Sequence, residues 1–403
     1  MAAKRRWSSV LFWSVLSAAF IGPGTVTLCA KAGAEHRFSL VWALIFSIIA
    51  CIVLQEAAAR IAAASGMDLA RAVRSRFTGP AGGVATLFVL ASIVAGCAAY
   101  EAGNLLGALA GLRLIAPEAS SYWLLPIALV AASLLAAAAT GTVARLLGWV
   151  VAIMGFTFVV AAISFGFSSQ ELSSLARGAL IPTIPAGSAL IVLGMIGTTV
   201  VPYNLFLGSA LSRGRDPLEI RFGLIVALLL GGLISIAVLT VGRGVEGAFS
   251  FEALAASLES GVGGWGRTLF AVGLAAAGLT SALTAPLAAA WTARGLYERD
   301  GGAAWGESSW RYRSVWIFVL LCGVGFGVSG IKPIPAIVAA QALNGIMLPA
   351  VAIFILLLVN DRARMGRYVN GWKGNIALGG CVLVCTALGA HALWRLVERW
   401  ILS

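Results

Sequence analysis

The chain has 403 residues, of which 60% are hydrophobic and only 11% are charged, and its formal net charge is +12. Soluble domains carry about 25% charged residues, so this composition excludes a soluble fold built around one aqueous core. The positive charge fits the Lys and Arg of cytoplasmic membrane loops; no basic run is interleaved with exposed aromatics, and no nucleic-acid partner is expected.

In chain order, Lys4, Arg5 and Arg6 precede an apolar stretch without an A-x-A cleavage site, which reads as a retained first helix. A span needs roughly 20 apolar residues, and about eleven such runs are present. They lie near Val10–Ala30, Leu40–Ala63, Gly82–Ala110, Tyr122–Ala139, Leu146–Phe167 and Gly187–Leu211. The rest lie near Phe222–Val241, Thr268–Trp291, Val315–Ser329, Ile334–Val359 and Ile376–Trp394. With the N-terminus cytoplasmic, 19 of the 28 Lys and Arg fall inside and 9 outside. That bias, with an odd number of spans, predicts a cytoplasmic N-terminus and an external C-terminus, in a membrane protein of the bacterial inner (plasma) membrane type. The six cysteines (Cys29, Cys51, Cys97, Cys322, Cys381 and Cys385) show no CxxC pair and read as buried small apolar residues.

Two spans carry helix breakers: Gly22-Pro23-Gly24 in the first, and Pro202 after Thr198-Thr199-Val200-Val201 in the sixth. Proline removes a backbone donor and glycine frees the backbone; in lipid such a break must face protein or a wet cavity. Breaks five spans apart predict an odd-numbered unit repeated once and therefore inverted, with a transport site at the breaks. The expected fold is an all-α polytopic membrane protein in one transmembrane domain over residues 1–403. It divides into a first repeat at about 9–170, a second at about 185–360, and an extra eleventh helix at about 374–396.

At these breaks the sequence resembles the Nramp family of proton-coupled divalent-metal transporters. Gly22-Pro23-Gly24-Thr25 stands where the family has Asp-Pro-Gly-Asn, and Ala32-Gly33-Ala34-Glu35 follows as in the family. Leu54-Gln55, Ala59-Arg60 and Gly66-Met67-Asp68-Leu69-Ala70 resemble the end of its second helix and the next loop. Val201-Pro202-Tyr203-Asn204-Leu205-Phe206-Leu207-Gly208-Ser209-Ala210-Leu211 stands for Met-Pro-His-Asn-Leu-Phe-Leu-His-Ser-Ala-Leu. Gln341, Leu348-Pro349, Asn360-Asp361-Arg362, Met365-Gly366 and Asn370 extend the match toward the C-terminus. The resemblance implies a LeuT-like fold of two inverted five-helix repeats plus one helix, alternating access, and no enzymatic activity.

The departures fall on the metal site. The family's Asp, Asn and Met ligands read Gly22, Thr25 and Val201 here, and two family histidines read Tyr203 and Gly208. Without the carboxylate, a buried dication faces a large desolvation penalty. Without the thioether, the softer transition metals lose their preferred donor. The resemblance places backbone donors at Ala19 and Thr198, and side-chain donors for metal at Thr25 and Gln341. Together with Gly22, Val201 and Asn204 these form the candidate substrate-binding set. Its donors are hard oxygens, suited to Mg²⁺, Mn²⁺ or Ca²⁺. Glu101, in the third span, aligns with an acidic position of the family's proton pathway, and intramembrane carboxylates are functional by default. The family's second acid, one turn on, is Asn104, so Glu101, Asn104 and Tyr203 form the candidate proton route. Glu56 and Arg60, four apart, read as a salt bridge on one helix face. The expected partners are the lipid bilayer and a small transported solute, with no bound cofactor. That solute is expected to be a cation, with or without a linked proton, or alternatively a small organic carboxylate or amino acid held by the exposed half-helix N-termini.

Overall fold

A computed structural model describes residues 21–137, 140–298 and 303–401. Among the described residues the regular structure is all helix. The helices are α1 (Pro23–His36), α2 (Val41–Ser65), α3 (Leu69–Arg76), α4 (Gly79–Ile115), α5 (Leu124–Ala136), α6 (Thr140–Ser164), α7 (Ser169–Leu180) and α8 (Ala189–Thr199). They continue with α9 (Pro202–Leu211), α10 (Pro217–Gly242), α11 (Phe251–Val262), α12 (Trp265–Tyr297), α13 (Trp310–Val328), α14 (Pro333–Val359), α15 (Arg362–Met365) and α16 (Trp372–Ile401).

Nine helical stretches among the described residues are long and apolar enough to cross a membrane, and α5 with the turn before it is a shorter apolar helix. The first span's N-terminal half lies outside the described residues. Its second half, α1, runs six residues past the Ala30 expected from hydropathy, because Lys31, Glu35 and His36 continue the helix. Trp123, Trp265, Trp310 and Trp372 stand exposed beside or at the first residue of a helix. That placement suits the membrane–water boundary, while exposed Leu129, Phe156, Leu230, Phe318 and Leu383 suit lipid chains.

The packing repeats itself. The most extensive contact is between α4 and α12. α12 also lies against α6 and α5, and α4 correspondingly lies against α14 and α13. α1 packs on α10, and α8 and α9 pack on α2. Each contact becomes its partner when the spans of the first half are exchanged for those of the second. This exchange is what a two-fold pseudo-symmetric repeat of five spans produces. Glycines permit the close crossings, as expected where apolar solvent supplies little drive for helix association. A Cβ on Gly111 would stand 2.6 Å from the Ala271 carbonyl oxygen, and one on Gly278 would stand 2.6 Å from the Asn104 carbonyl oxygen. One on Gly197 would collide with the Gln341 carbonyl.

Hydropathy alone passed over the amphipathic connectors α3, α7 and α11. Each has a local start signal: Asp68, Ser168 and Ser250 accept from the backbone N–H three residues on. At the Arg-rich end, α3 is tied to α12 by Arg71–Glu298 at 2.5 Å and by Arg74 to the Glu298 carbonyl at 2.8 Å. Arg60 donates to Glu56 at 3.1 Å, as its spacing predicts, and also reaches the Tyr368 carbonyl and Asn370 Oδ1.

Candidate functional site

Both helix breaks have the same construction. In each, a proline is the first helical residue and the residue before it is extended: Gly22 at φ −86°, ψ 177° and Val201 at φ −78°, ψ 121°. Proline at this position sacrifices an N–H that has no helical partner anyway. It also strips a partner from the carbonyl four residues earlier. Pro202 has no N–H to give to the Thr198 carbonyl at the end of α8, so that oxygen is left facing the break. Ala19 stands in the same relation to Pro23, but it lies outside the described residues. The two expected backbone donors are thus related by the same four-residue spacing to a proline.

The side chains converge where the start of α1 crosses the broken pair α8–α9. Thr25 Oγ1 and Thr198 Oγ1 are 3.1 Å apart, joining α1 to α8 across the breaks. Tyr100 of α4 brings its hydroxyl to 3.5 Å from Thr198 Oγ1. Gln341 of α14 packs against Gly24, where any Cβ would collide with its Nε2. Gln341 is 1% exposed, and its Oε1 has no hydrogen-bond partner among the described residues. A buried amide oxygen without a donor is costly, so this atom marks a place built for an electropositive visitor. Gly107 lets α4 lie directly on the Pro23 ring and carries Tyr100 and Glu101 up to the breaks.

Of the remaining expected residues, Glu101 and Asn104 form one unit: Asn104 Nδ2 donates to Glu101 Oε2 at 3.3 Å. Glu101 is fully buried, and its Oε1 has no partner among the described residues. Tyr203 meets Tyr100 edge to face, with ring centroids 5.4 Å apart, so Tyr203 is joined to the crossing through the ring of Tyr100. Val201 is buried and contributes its extended backbone. Asn204 sits one step away: its carbonyl accepts from Gln55 Nε2 at 3.3 Å. Gly208, where the family has His, provides room for the Gln55 amide.

Sequence reasoning missed Tyr100 and Gln55. The only available signal was a polar-tipped residue in the middle of an apolar span, one residue before Glu101 in the first case and next to Glu56 in the second. Among the described residues no cluster of three or more His, Cys, Asp or Glu is assembled. Beside Thr25 and Thr199 is a cavity of about 20 Å³. That is room for about one water. A larger, charged cavity of about 230 Å³ lies at the Arg-rich end, lined by Asp68, Arg71, Arg213, Trp291, Arg294 and Glu307.

A helix broken before Pro202 that meets the start of α1 at a buried, oxygen-lined crossing inside a pseudo-symmetric bundle defines a membrane transporter rather than an enzyme. The family model described as natural resistance-associated macrophage protein-like matches residues 14–395, and the chain belongs to the Nramp family. It is 25% identical over 391 residues to the divalent metal cation transporter MntH of Pectobacterium carotovorum subsp. carotovorum, covering 91% of this chain and 89% of that one. It is likewise 25% identical over 408 residues to MntH of Deinococcus radiodurans, covering 95% and 88%. The Eremococcus coleocola manganese transporter shares the fold with a TM-score of 0.71 at 21% identity, covering 95% of this chain and 86% of that chain. Mhp1, a nucleobase-cation-symport-1 family transporter, shares it with a TM-score of 0.60 at 14% identity, covering 97% and 93%. The fold is therefore the LeuT-like one, two inverted five-helix repeats with an added helix.

Proposed function

We propose that this chain carries a hard divalent cation (Mg²⁺, Mn²⁺ or Ca²⁺) across the membrane by alternating access, at the crossing of α1 and α8–α9. The observation that carries the reading is the unpartnered Gln341 Oε1 beside the Thr25–Thr198 hydroxyl pair. These oxygens, with the Thr198 carbonyl, are neutral and hard. Four neutral donors do not offset the full hydration energy of a dication, so the ion keeps part of its water shell and binds weakly. The names of the relatives support a divalent cation; the donor chemistry supports a hard one. No observation favours an organic solute, for which the small cavity beside Thr25 leaves no room.

Proton linkage through Glu101, with Asn104 and Tyr203 along the route, belongs to the same reading. It is supported by the burial of Glu101 and by its half-satisfied carboxylate. We place the Arg-rich end in the cytoplasm of a cell with this chain in its plasma membrane: Arg60, Arg71, Arg74, Arg76, Arg213, Arg294 and Arg364 make their contacts at one face of the bundle. The test is initial uptake of Mg²⁺, Mn²⁺ and Ca²⁺ by proteoliposomes, with Zn²⁺ as the soft comparison. Saturable uptake of at least one hard ion, at sub-millimolar to millimolar concentration, is expected. If all three stay outside, the cation reading fails.

A further inference from the structure

Shortly after Gln341, α14 carries a second buried amide that has no part in the crossing described above. Asn344 is 1% exposed, and its Nδ2 has no hydrogen-bond partner among the described residues. Residues three apart on a helix are neighbours, with Cβ atoms roughly 5–6 Å from each other. Gln341 and Asn344 therefore leave one acceptor and one donor unmet side by side, Gln341 Oε1 and Asn344 Nδ2. The packing fixes where this pair sits. A Cβ on Gly197, the residue before Thr198, would collide with the Gln341 carbonyl and stand 2.6 Å from the Gly345 nitrogen, so this turn of α14 lies against the end of α8. A Cβ on Gly96 of α4 would stand 2.9 Å from Asn344 Oδ1, and Gly96 is one turn before Tyr100, whose hydroxyl reaches Thr198. From Gln341, α14 runs on toward Asn360 and the Arg-rich end. Asn344 therefore lies about 4.5 Å further along the axis, on that side of the crossing. Two buried amides with an unmet polar atom each are costly unless a third group joins them.

We infer that Asn344 is a specificity-determining residue of the transport site, holding a water of the ion's hydration shell, rather than the ion itself, on the Arg-rich side of Gln341. The inference rests on the hard-cation reading above and deepens it, because it assigns the retained water a place. Before an ion arrives, a water between the two amides accepts from Asn344 Nδ2 and donates to Gln341 Oε1. A water bound to a cation turns its lone pairs to the metal and has only its two protons to give. Half a turn of the Asn344 amide exchanges Nδ2 for Oδ1, and the pair then offers two acceptors to those protons. Glycine at position 96 keeps α4 from setting a Cβ against this amide. A leucine of similar size would offer the water nothing. Mg²⁺ dehydrates reluctantly and keeps several waters, so it gains more from such a contact than an ion that sheds them.

The experiment uses the full chain in proteoliposomes and reads initial uptake of Mg²⁺, Mn²⁺ and Ca²⁺ across a range of concentrations. Asn344→Leu is expected to raise the KM for Mg²⁺ about five- to tenfold, the loss of one hydrogen-bonding contact, and the KM for Mn²⁺ and Ca²⁺ by less than half that factor. Its thermal unfolding in detergent is expected at or above the wild-type temperature, because the change removes a buried polar atom that had no partner. Asn344→Ala, which asks nothing of the surrounding space, is expected to show the same shift in ion preference. Gly96→Ala, which pushes a Cβ against Oδ1, is expected to raise the KM for Mg²⁺ on its own and to add nothing to Asn344→Ala. If both Asn344 variants keep the wild-type KM for Mg²⁺, or raise KM equally for every ion carried, the inference is overturned and the cation reading stands. Loss of rate at unchanged KM marks a packing role and overturns it too. Wild-type protein that carries Mn²⁺ or Ca²⁺ but no Mg²⁺ likewise overturns the inference alone. Wild-type protein that moves none of the three takes down both readings.

Discussion

At the scale of single residues, Gly22 and Val201 stand where the Nramp motifs quoted above have Asp and Met, so the breaks carry neither carboxylate nor thioether. Gly22 is the position where restoring a carboxylate most directly restores a family-like ligand set. Gly22→Asp is expected to tighten Mn²⁺ binding about ten- to a hundredfold, the range of one charge-assisted contact, as read by titration calorimetry. The structure qualifies this expectation. The new side chain starts 3.0 Å from Ser281 Oγ, so the serine must turn aside first, and Gly22→Asp with Ser281→Ala is expected to gain at least as much. Equal Mn²⁺ affinity in wild type and both variants would mean that the loss of the Val201 thioether position, not the missing charge, limits binding. Glu101 is the second residue with a consequence of its own. Its carboxyl is buried, holds one hydrogen bond from Asn104 and leaves one oxygen unpaired. Glu101→Gln keeps that geometry and removes the exchangeable proton. Uptake by this variant is expected to lose most of its dependence on an imposed pH gradient; the same dependence as wild type assigns Glu101 a purely structural part.

At the scale of elements, the connectors illustrate how local chemistry and packing combine. α7 begins with a capping box in which Ser168 accepts from Glu171 N–H and Glu171 accepts from Ser168 N–H. Glu171 also pairs with Arg243 at the end of α10, and Arg243 spans the rings of Phe38 and Phe167 at 5.3 and 5.1 Å. The Ser168 backbone N–H, joined by the Ser168 hydroxyl and by Arg243, holds the Glu171 carboxyl below the usual carboxylate range. A carboxyl whose folded pKa is depressed contributes stability that is present above its unfolded value, about 4.3, and lost as pH falls through the folded value. The exchange protection of α7, taken relative to the free-peptide rate at each pH, is therefore expected to fall below about pH 4, and Glu171→Gln to remove that step. Protection of α7 that is flat from pH 6 to pH 3 would show that α7 is held by Gly178 on the Phe38 carbonyl instead.

At the scale of the whole molecule, the cytoplasmic placement proposed for the Arg-rich end is open to a direct test. Exposed Arg362 lies beyond α14 at the Arg-rich end, while Glu246 lies in the exposed turn after α10. A membrane-impermeant thiol reagent is expected to label Glu246→Cys in intact cells and Arg362→Cys only in inverted vesicles. The opposite pattern would reverse the cytoplasmic assignment of the Arg-rich face. At the same scale, the ion pairs of Asp68, Arg71, Arg213, Arg294 and Glu298 close that end of the bundle around its charged cavity.

The membrane class, most of the spans and the break before Pro202 were legible in the residues because each rests on local chemistry. Apolar runs of span length, Lys and Arg between them, and a proline or Gly-Pro-Gly in mid-run act within a few residues of themselves. The same holds for Glu56 and Arg60, one helical turn apart, and for the four-residue step from Thr198 to Pro202. The convergence of Thr25, Thr198, Tyr100 and Gln341 is not local: it joins positions up to several hundred residues apart, and only the packing of α1, α4, α8 and α14 brings them together. Gln55 was quoted for its family match, but its role in filling the space at Gly208 belongs to that packing alone. Ser281 was invisible for the same reason, since one serine among the small residues of an apolar helix gives no periodic signal. Only the tertiary structure, by laying α12 against the N-cap of α1, sets the Ser281 hydroxyl beside Gly22.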